Sequence, residues 1–224
     1  MTTRQSTTSL QGMPIRDYHE SLWETVPEGI RPPYMQARLD FLLAHVPPGA
    51  RVLDVGCGEA WFTAALAQAG REAVGIDVAE EPLRRARARE PGLDLRCVPA
   101  EGEWSSLGDV SFDAVWAGEV IEHVADTAGW LSQVRRVLRS GGALVLSAPA
   151  HALLTRLALG LSGRAFAAHF DPRSDHLRFY TRRTLVALLQ DFGFERIETR
   201  AVGGSIGFLP PRQVLLAAAR RRRF

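Results

Sequence analysis

The sequence predicts an α/β fold built on a parallel, doubly wound sheet, and two observations support this prediction. From Arg51 onward, short apolar runs rich in β-branched residues alternate with stretches of helical character. Gly or Pro follows several of these segments, and strands alternating with helices of this length form βαβ units. In such a sheet the ligand binds beyond the carboxyl ends of the strands.

The first part of the chain is predicted to form a helical cap over residues 1–46. Its helical stretch, 16–46, is broken at Pro32 and Pro33, and Pro47, Pro48 and Gly49 then form a turn. The pattern that follows predicts strands at 51–56, 72–77, 93–98, 112–117 and 143–148, and helices at 60–69, 80–90 and 127–139.

After Pro149 the alternation stops, and a mildly amphipathic segment begins. We interpret residues 151–176 as a lid inserted after the fifth strand. A helix at 181–191 and a strand at 194–200 then complete a main domain over residues 47–200.

Residues 201–224 are interpreted as a C-terminal extension that is turn-rich and then helical, so that no final antiparallel strand is expected. It ends in the basic run Arg220–Arg223. A solvated end is one interpretation of this run, and peripheral contact with anionic lipid, or contact with RNA, is the other.

Composition excludes several classes of function. The net charge of the 224 residues is +2, and without the four terminal arginines it is −2, which argues against a nucleic-acid binder. The chain contains no Lys, which excludes Schiff-base and P-loop lysines. Two cysteines, Cys57 and Cys97, make no disulfide framework, and no signal peptide or 18-residue apolar run is found. These features predict a cytoplasmic protein.

The strongest motif is VLDVGCGEAWF at positions 52–62. A strand brings Asp54 into a turn where Gly56 and Gly58 allow close approach of a ligand to the backbone. The next strand ends at Asp77, which is 23 residues after Asp54 and is placed to accept hydrogen bonds from a ribose diol.

Two details of this turn distinguish between cofactor classes. Trp61 occupies the position where a dinucleotide site has its third glycine, and Glu59 would repel a phosphate. A cofactor without phosphate therefore fits better, with Asp54 placed to hold an ammonium group directly or through water. An NAD-dependent oxidoreductase is the alternative that these two residues disfavour.

Five segments in order resemble the class I S-adenosylmethionine-dependent methyltransferases, which have a Rossmann-like fold. They are VLDVGCG, GIDVAEE, SFDAVWAGEVIEHV, LRSGGALVLSAP and DHLRFYTRRTLVALLQDFGF, and they span about residues 45–200. The resemblance implies S-adenosylmethionine as cofactor, with the methionine moiety near Asp54, Gly56, Gly58 and Ala117, the ribose at Asp77, and the adenine at Val78, Ala100 and Glu101. Two positions depart from the family pattern, since Ala60 replaces a glycine and Pro99 replaces an acid that often binds adenine.

The segment GEVIEHV, after the fourth strand, gathers Glu119, Glu122 and His123, which we expect on one side of a helical turn. With His176 downstream, they form a plausible ligand set for a divalent cation. The arrangement resembles two metal-assisted groups, the ubiquinone-pathway O-methyltransferases and the small-RNA 3′-terminal 2′-O-methyltransferases. The resemblance implies a metal that grips vicinal oxygens of the acceptor.

Other interpretations of these residues stay open. His123 and His176 are also candidate catalytic residues, with His123 as a base or as an orienting group in the acceptor pocket, while His176 could instead tether the lid. Glu122 could pair with Arg135 or Arg136 on a helix surface.

The function predicted is methyl transfer from S-adenosylmethionine to a small-molecule acceptor, at oxygen. RNA 3′-end 2′-O-methylation is an alternative, but the −2 charge of the body and the lack of an aromatic–basic platform argue against it. A non-catalytic cofactor binder is a further alternative.

Overall fold

The computed structural model describes residues 15–102, 104–107, 112–151, 153–171, 174–203 and 213–223. Its strands are β1 Arg51–Val55, β2 Glu72–Asp77, β3 Asp94–Cys97, β4 Phe112–Gly118, β5 Leu138–Pro149, β6 Phe194–Val202 and β7 Val214–Arg221. Its α-helices are α1 Ile15–Thr25, α2 Met35–His45, α3 Trp61–Gln68, α4 Glu80–Arg89, α5 Thr127–Val137, α6 Leu153–Leu161, α7 Gly163–His169 and α8 Arg182–Asp191.

The strands form one sheet in the order β3-β2-β1-β4-β5-β7-β6. β1 pairs in parallel with β2 and with β4, and these pairings extend in parallel to β3 on one side and to β5 on the other. The order reverses at β1 and β4, so this pair marks the point where a doubly wound sheet opens a crevice for ligands. The predicted α/β, Rossmann-like fold is confirmed.

The prediction of a helical C-terminal segment is wrong. Residues 214–221 form β7, which pairs antiparallel with both β5 and β6 and so lies inside the sheet. Alternate residues of β7 are buried on opposite faces: Leu215 and Ala217 in one core cluster, and Leu216 and Ala218 in the other. A strand covered on both faces has no polar alternation, and this one, rich in Leu and Ala, has the composition of a helix.

The position of β7 also changes the interpretation of the basic run. Arg221 ends the strand and donates hydrogen bonds to the carbonyl oxygens of Arg135 and Leu138, and Arg220 donates to that of His45. These two arginines are therefore part of the folded domain.

The core lies on both faces of the sheet. One cluster packs α5 and α8 against it through residues such as Leu131 and Leu185. The other packs α2 and α3 through Phe41 and Leu66. The candidate site lies at the carboxyl edge of the parallel strands, where Asp77 ends β2 and Glu119 follows β4.

The boundaries predicted for the first four strands agree with β1 to β4 within one residue. The helix predicted at 127–139 ends at Val137, and β5 begins at Leu138, ahead of the predicted start at 143. The segment predicted as a lid contains α6 and α7, between β5 and α8. Among the described residues, no helix is long and apolar enough to cross a membrane.

Candidate functional site

The turn after β1 is built on residues with positive φ. Gly56 and Gly58 have φ of 65° and 52°, and Ala60, which precedes α3, has 58°. A Cβ on Gly56 would lie 2.6 Å from Cγ2 of Val120, and one on Gly58 would lie 2.9 Å from Cζ2 of Trp23. The two glycines are therefore required both by backbone conformation and by close packing.

Asp77, at the end of β2, is fixed by this turn. Its Oδ2 accepts a hydrogen bond from the backbone N–H of Gly58 at 2.9 Å, and its Oδ1 accepts one from Ala79 at 3.0 Å. Burial raises the pKa of the carboxyl, and the two N–H donors oppose that rise. Asp77 also lines the cavity described below, so its carboxylate stands at the cavity wall in a defined orientation.

Asp54 lies behind the turn. Its Oδ2 accepts a hydrogen bond from Oγ1 of Thr63 at 2.6 Å, and burial raises its pKa to about 7. It is 2% exposed and is not among the residues lining the cavity. Its contact with α3 makes it a support of the turn in this structure.

Helix α1 covers the turn and is tied to α4. The Arg85 guanidinium, buried on α4, donates to the carbonyl oxygens of Trp23 and Val26 at 2.9 and 2.8 Å. Arg85 also pairs with the buried carboxylate of Glu59 at 3.3 Å. In turn, Oε2 of Glu20 accepts a hydrogen bond from the first backbone N–H of α4 at 2.8 Å.

One cavity of about 290 Å³ lies between α1, the turn and the carboxyl ends of the strands. It is lined by His19, Leu22, Trp23, Val26, Gly56, Asp77, Val78, Pro99, Ala100, Glu101, Glu119, Val120, His123, Val124 and Asp175. The cavity thus joins the Gly-rich turn to the segment after β4.

The residues predicted to contact an adenine lie on this wall. Val78, Ala100 and Glu101 all line the cavity. Oε1 of Glu101 also accepts a hydrogen bond from the backbone N–H of Asp126 at 2.6 Å. Ala117 is fully buried within β4 and does not line the cavity.

The segment after β4 is a bend followed by a turn, so the prediction of a helical turn here is wrong. Glu119 has a φ of 59°, and the group of close ligand atoms formed by Glu122, His123 and His176 does not include it. Its Oε1 accepts a hydrogen bond from Oγ of Ser147 at 2.7 Å and lies 4.0 Å from NH2 of Arg38. Glu119 is therefore not a member of the candidate metal group.

Glu122 is the least expected residue of the site. Its side chain is fully buried, and neither carboxylate oxygen has a hydrogen-bond partner among the described residues. Burial, and secondarily the charge of Glu119, raises its pKa to about 9. The proposed pairing with Arg135 or Arg136 does not occur, and a buried carboxyl without a partner is costly.

Glu122, His123 and His176 come together as one group. One ligand atom of each lies within 4.8 Å of the others, and no other such group of metal-ligating side chains occurs among the described residues. The two imidazole rings meet edge to face with centroids 4.8 Å apart.

His123 is oriented by Asp175. Its Nδ1 lies 3.0 Å from the carbonyl oxygen of Asp175 and 3.4 Å from Oδ2 of the same residue. A carbonyl oxygen only accepts, so Nδ1 carries the proton and Nε2 of the neutral ring keeps its lone pair. Burial lowers the pKa of His123, although Asp175 opposes that effect.

Sequence reasoning missed Asp175 and Arg38. Asp175 is adjacent to the predicted His176, but its role depends on a fold that returns the chain to His123. Arg38 is buried in α2, donates to Oγ of Ser147 at 2.9 Å, and has its pKa lowered by burial. No pattern in the helix sequence distinguishes this arginine from a surface residue.

The chain matches a family model described as a methyltransferase domain over residues 28–199. It is 31% identical over 156 residues to a ubiquinone biosynthesis O-methyltransferase of Ruegeria sp. strain TM1040, a match covering 68% of this chain and 63% of that protein. The protein of the same name from Methylococcus capsulatus is 35% identical over 144 residues, or 62% and 60% of the two chains. The matched segment thus spans about three fifths of the length of these relatives.

Among solved structures, an S-adenosylmethionine-dependent methyltransferase from Mesorhizobium loti is similar, with a TM-score of 0.61 and 25% identity. The match covers 83% of this chain and 96% of that one. A SAM-dependent methyltransferase from Methanosarcina mazei has the same fold, with a TM-score of 0.62, 24% identity and coverage of 82% and 98%.

Proposed function

The chain is a class I S-adenosylmethionine-dependent methyltransferase, and we propose that it methylates a hydroxyl group of a small-molecule acceptor bound beside His123. The observation that carries this proposal is that one continuous cavity is lined by both Asp77 and His123. The two curated relatives named above, whose names are those of O-methyltransferases, support oxygen as the methylated atom.

At one end of the cavity, this chain binds the cofactor. Asp77 holds the ribose hydroxyls. The hydrogen bonds that its carboxylate accepts from the backbone N–H groups of Gly58 and Ala79 fix the orientation of both carboxylate oxygens. Val78, Ala100 and Glu101 surround the adenine, and Gly56 allows the methionine portion to approach the backbone.

At the other end, His123 receives the acceptor proton. Bound S-adenosylmethionine supplies an electrophilic methyl carbon on a sulfonium group, so the protein mainly aligns the acceptor oxygen with it. Nε2 of His123 is unprotonated at neutral pH because burial lowers the pKa of the ring. Asp175 holds the ring orientation through Nδ1, as a general base requires.

One observation favours a metal-assisted form of the same reaction. The two unpartnered oxygens of Glu122, next to His123 and His176, fit the preference of a divalent cation for carboxylate and imidazole ligands. These three residues would hold the ion, which would lower the pKa of the acceptor hydroxyl. In that form His123 is a ligand and no longer the base.

A methyl-transfer assay tests these proposals. The purified protein is incubated with labelled S-adenosylmethionine and a panel of hydroxylated aromatic acids, each matched by an analogue in which an amino group replaces the hydroxyl. The proposal predicts transfer to the hydroxylated members and its loss in His123→Gln. Transfer confined to the amino analogues would contradict it. A chelator abolishes turnover in the metal-assisted form and leaves it unchanged when His123 is the base.

A further inference from the structure

A second and larger cavity lies between α8 and the edge strand β6, with a volume of about 1020 Å³. We call it the cationic groove, because four arginines line its wall: Arg156 of α6, Arg182 and Arg183 of α8, and Arg200 of β6. Its polar lining also includes Gln190 and Gln213. The described lining residues contain no Asp or Glu.

The described residues supply no carboxylate partner for the four arginines of the groove. Within the part of the chain that the structure describes, none of Arg156, Arg182, Arg183 and Arg200 has an ion pair, although Arg200 lies over the ring of Phe41. Arginines elsewhere do: Arg84 and Arg85 both pair with Glu81 at 2.8 Å. The groove therefore concentrates positive charge in a protein whose net charge is only +2.

The position of Arg182 and Arg183 argues against a role in stabilising α8. They occupy its first turn, which contains no acidic residue. The positive end of the helix dipole is there, so it repels both arginines, which also repel each other. An anion bound between the arginines would offset both repulsions. The helix is already capped by a reciprocal bond pair between Thr181 and Thr184, so these arginines are not needed as caps.

The groove opens at the same edge of the sheet as the cofactor cavity. Ala150, which follows the carboxyl end of β5, and His151 both line it. These two residues are tied to Tyr180, through a parallel bridge from Ala150 and a hydrogen bond from the His151 N–H at 3.3 Å. Tyr180 directly precedes the capping residue Thr181 and contacts the carbonyl oxygen of Ile121 at 3.4 Å, close to the proposed acceptor site.

We propose that the cationic groove binds a phosphate or pyrophosphate group carried by the acceptor. Guanidinium groups bind phosphate through paired charge-assisted hydrogen bonds, and four of them around one cavity match a multiply charged anion. The assignment of the groove itself rests on its charge and shape, and only the identification of the ligand as the acceptor rests on the proposed function.

The test is calorimetric titration of the full chain with inorganic pyrophosphate at low ionic strength. Three proteins are compared: the wild type, the double variant Arg182→Gln/Arg183→Gln, and the control Arg84→Gln, which removes a charge from an exposed arginine on α4. We expect saturable binding to the wild type and the control, and binding at least about tenfold weaker in the double variant. Equal affinity in all three proteins, or no binding to the wild type, would overturn the proposal.

Two further arms separate the sources of failure. S-adenosylhomocysteine is titrated into all three proteins, and equal affinity shows that the variants are folded with an intact cofactor site. Binding to phosphatidylglycerol vesicles without binding to pyrophosphate would overturn the small-ligand assignment and indicate a lipid surface. Pyrophosphate binding by a protein that methylates no hydroxylated acceptor would preserve the anion site and contradict the proposed function.

Discussion

Asp77 and Gly58 are joined across the carboxyl edge of the sheet, since Oδ2 of Asp77 accepts the backbone N–H of Gly58 at 2.9 Å. This bond links the end of β2 to the turn after β1. It means that the residue proposed to hold the ribose and the turn proposed to hold the methionine portion form one rigid unit. Substitution at either position is therefore expected to affect both.

Replacement of Glu122 by Gln is expected to stabilise the metal-free protein at alkaline pH. The folded pKa of about 9 lies far above that of an unfolded Glu, so the native state binds more protons between about pH 4 and pH 9 and loses stability as pH rises. Glu122→Gln removes this slope and should raise the free energy of unfolding by about 1–3 kcal/mol at pH 8. Denaturant unfolding at pH 5 and pH 8 measures it.

The same pair of proteins tests the metal group. In the metal-assisted form, added Mn²⁺ or Mg²⁺ raises the melting temperature of the wild type and leaves that of Glu122→Gln unchanged. Glu119→Gln serves as the matched control, because Glu119 is bound to Ser147 and lies outside the group. An identical response of all three proteins to the ion would argue against a role for Glu122 in binding it.

His123 is expected to titrate below the usual range of histidine. Burial lowers its folded pKa, so the unfolded state binds more protons between that pKa and about 6.5, and stability falls as pH drops through this window. NMR titration of the imidazole signals, assigned with His123→Gln, measures the pKa directly. A value at or above 6.5 would contradict the neutral base proposed here.

Loss of Arg85 is expected to loosen the attachment of helix α1 to helix α4. Arg85→Gln removes the bonds to the carbonyl oxygens of Trp23 and Val26 and weakens the neutralisation of the buried Glu59, at a cost of about 2–4 kcal/mol. Hydrogen exchange of the amides of α1 should accelerate, and S-adenosylhomocysteine should bind more weakly. Arg84→Gln loses only its pair with Glu81 and is the control. Unchanged hydrogen exchange of the α1 amides in Arg85→Gln would mean that other contacts hold α1 against α4.

Much of the fold follows from local patterns in the sequence, because glycine or proline residues mark the ends of many strands and helices. Gly56, Gly70 and Pro91 mark boundaries that the structure keeps. β7 was not predicted, because a strand buried on both faces shows no alternation and its Ala content favours helix. Its identity depends on the neighbours β5 and β6, which no local window contains.

The site was predictable where it depends on one turn and one strand end. Asp77, Val78 and Glu101 follow strands, and parallel strands bring their carboxyl ends together. Glu119 was misplaced because its partners, Ser147 and Arg38, lie 28 and 81 residues away along the chain. The sequence also contains no sign that Glu122 would be buried without a partner.

The most direct test of the account is calorimetric titration of S-adenosylhomocysteine into the wild type, Asp77→Asn and the control Asp94→Asn. Asp94 is a partly exposed residue of the neighbouring strand that pairs with Arg96. The account predicts saturable binding to the wild type, equal affinity in the control, and affinity at least about tenfold lower in Asp77→Asn. Equal affinity in Asp77→Asn and the wild type would contradict the claim that the unit formed by Asp77 and Gly58 holds the cofactor.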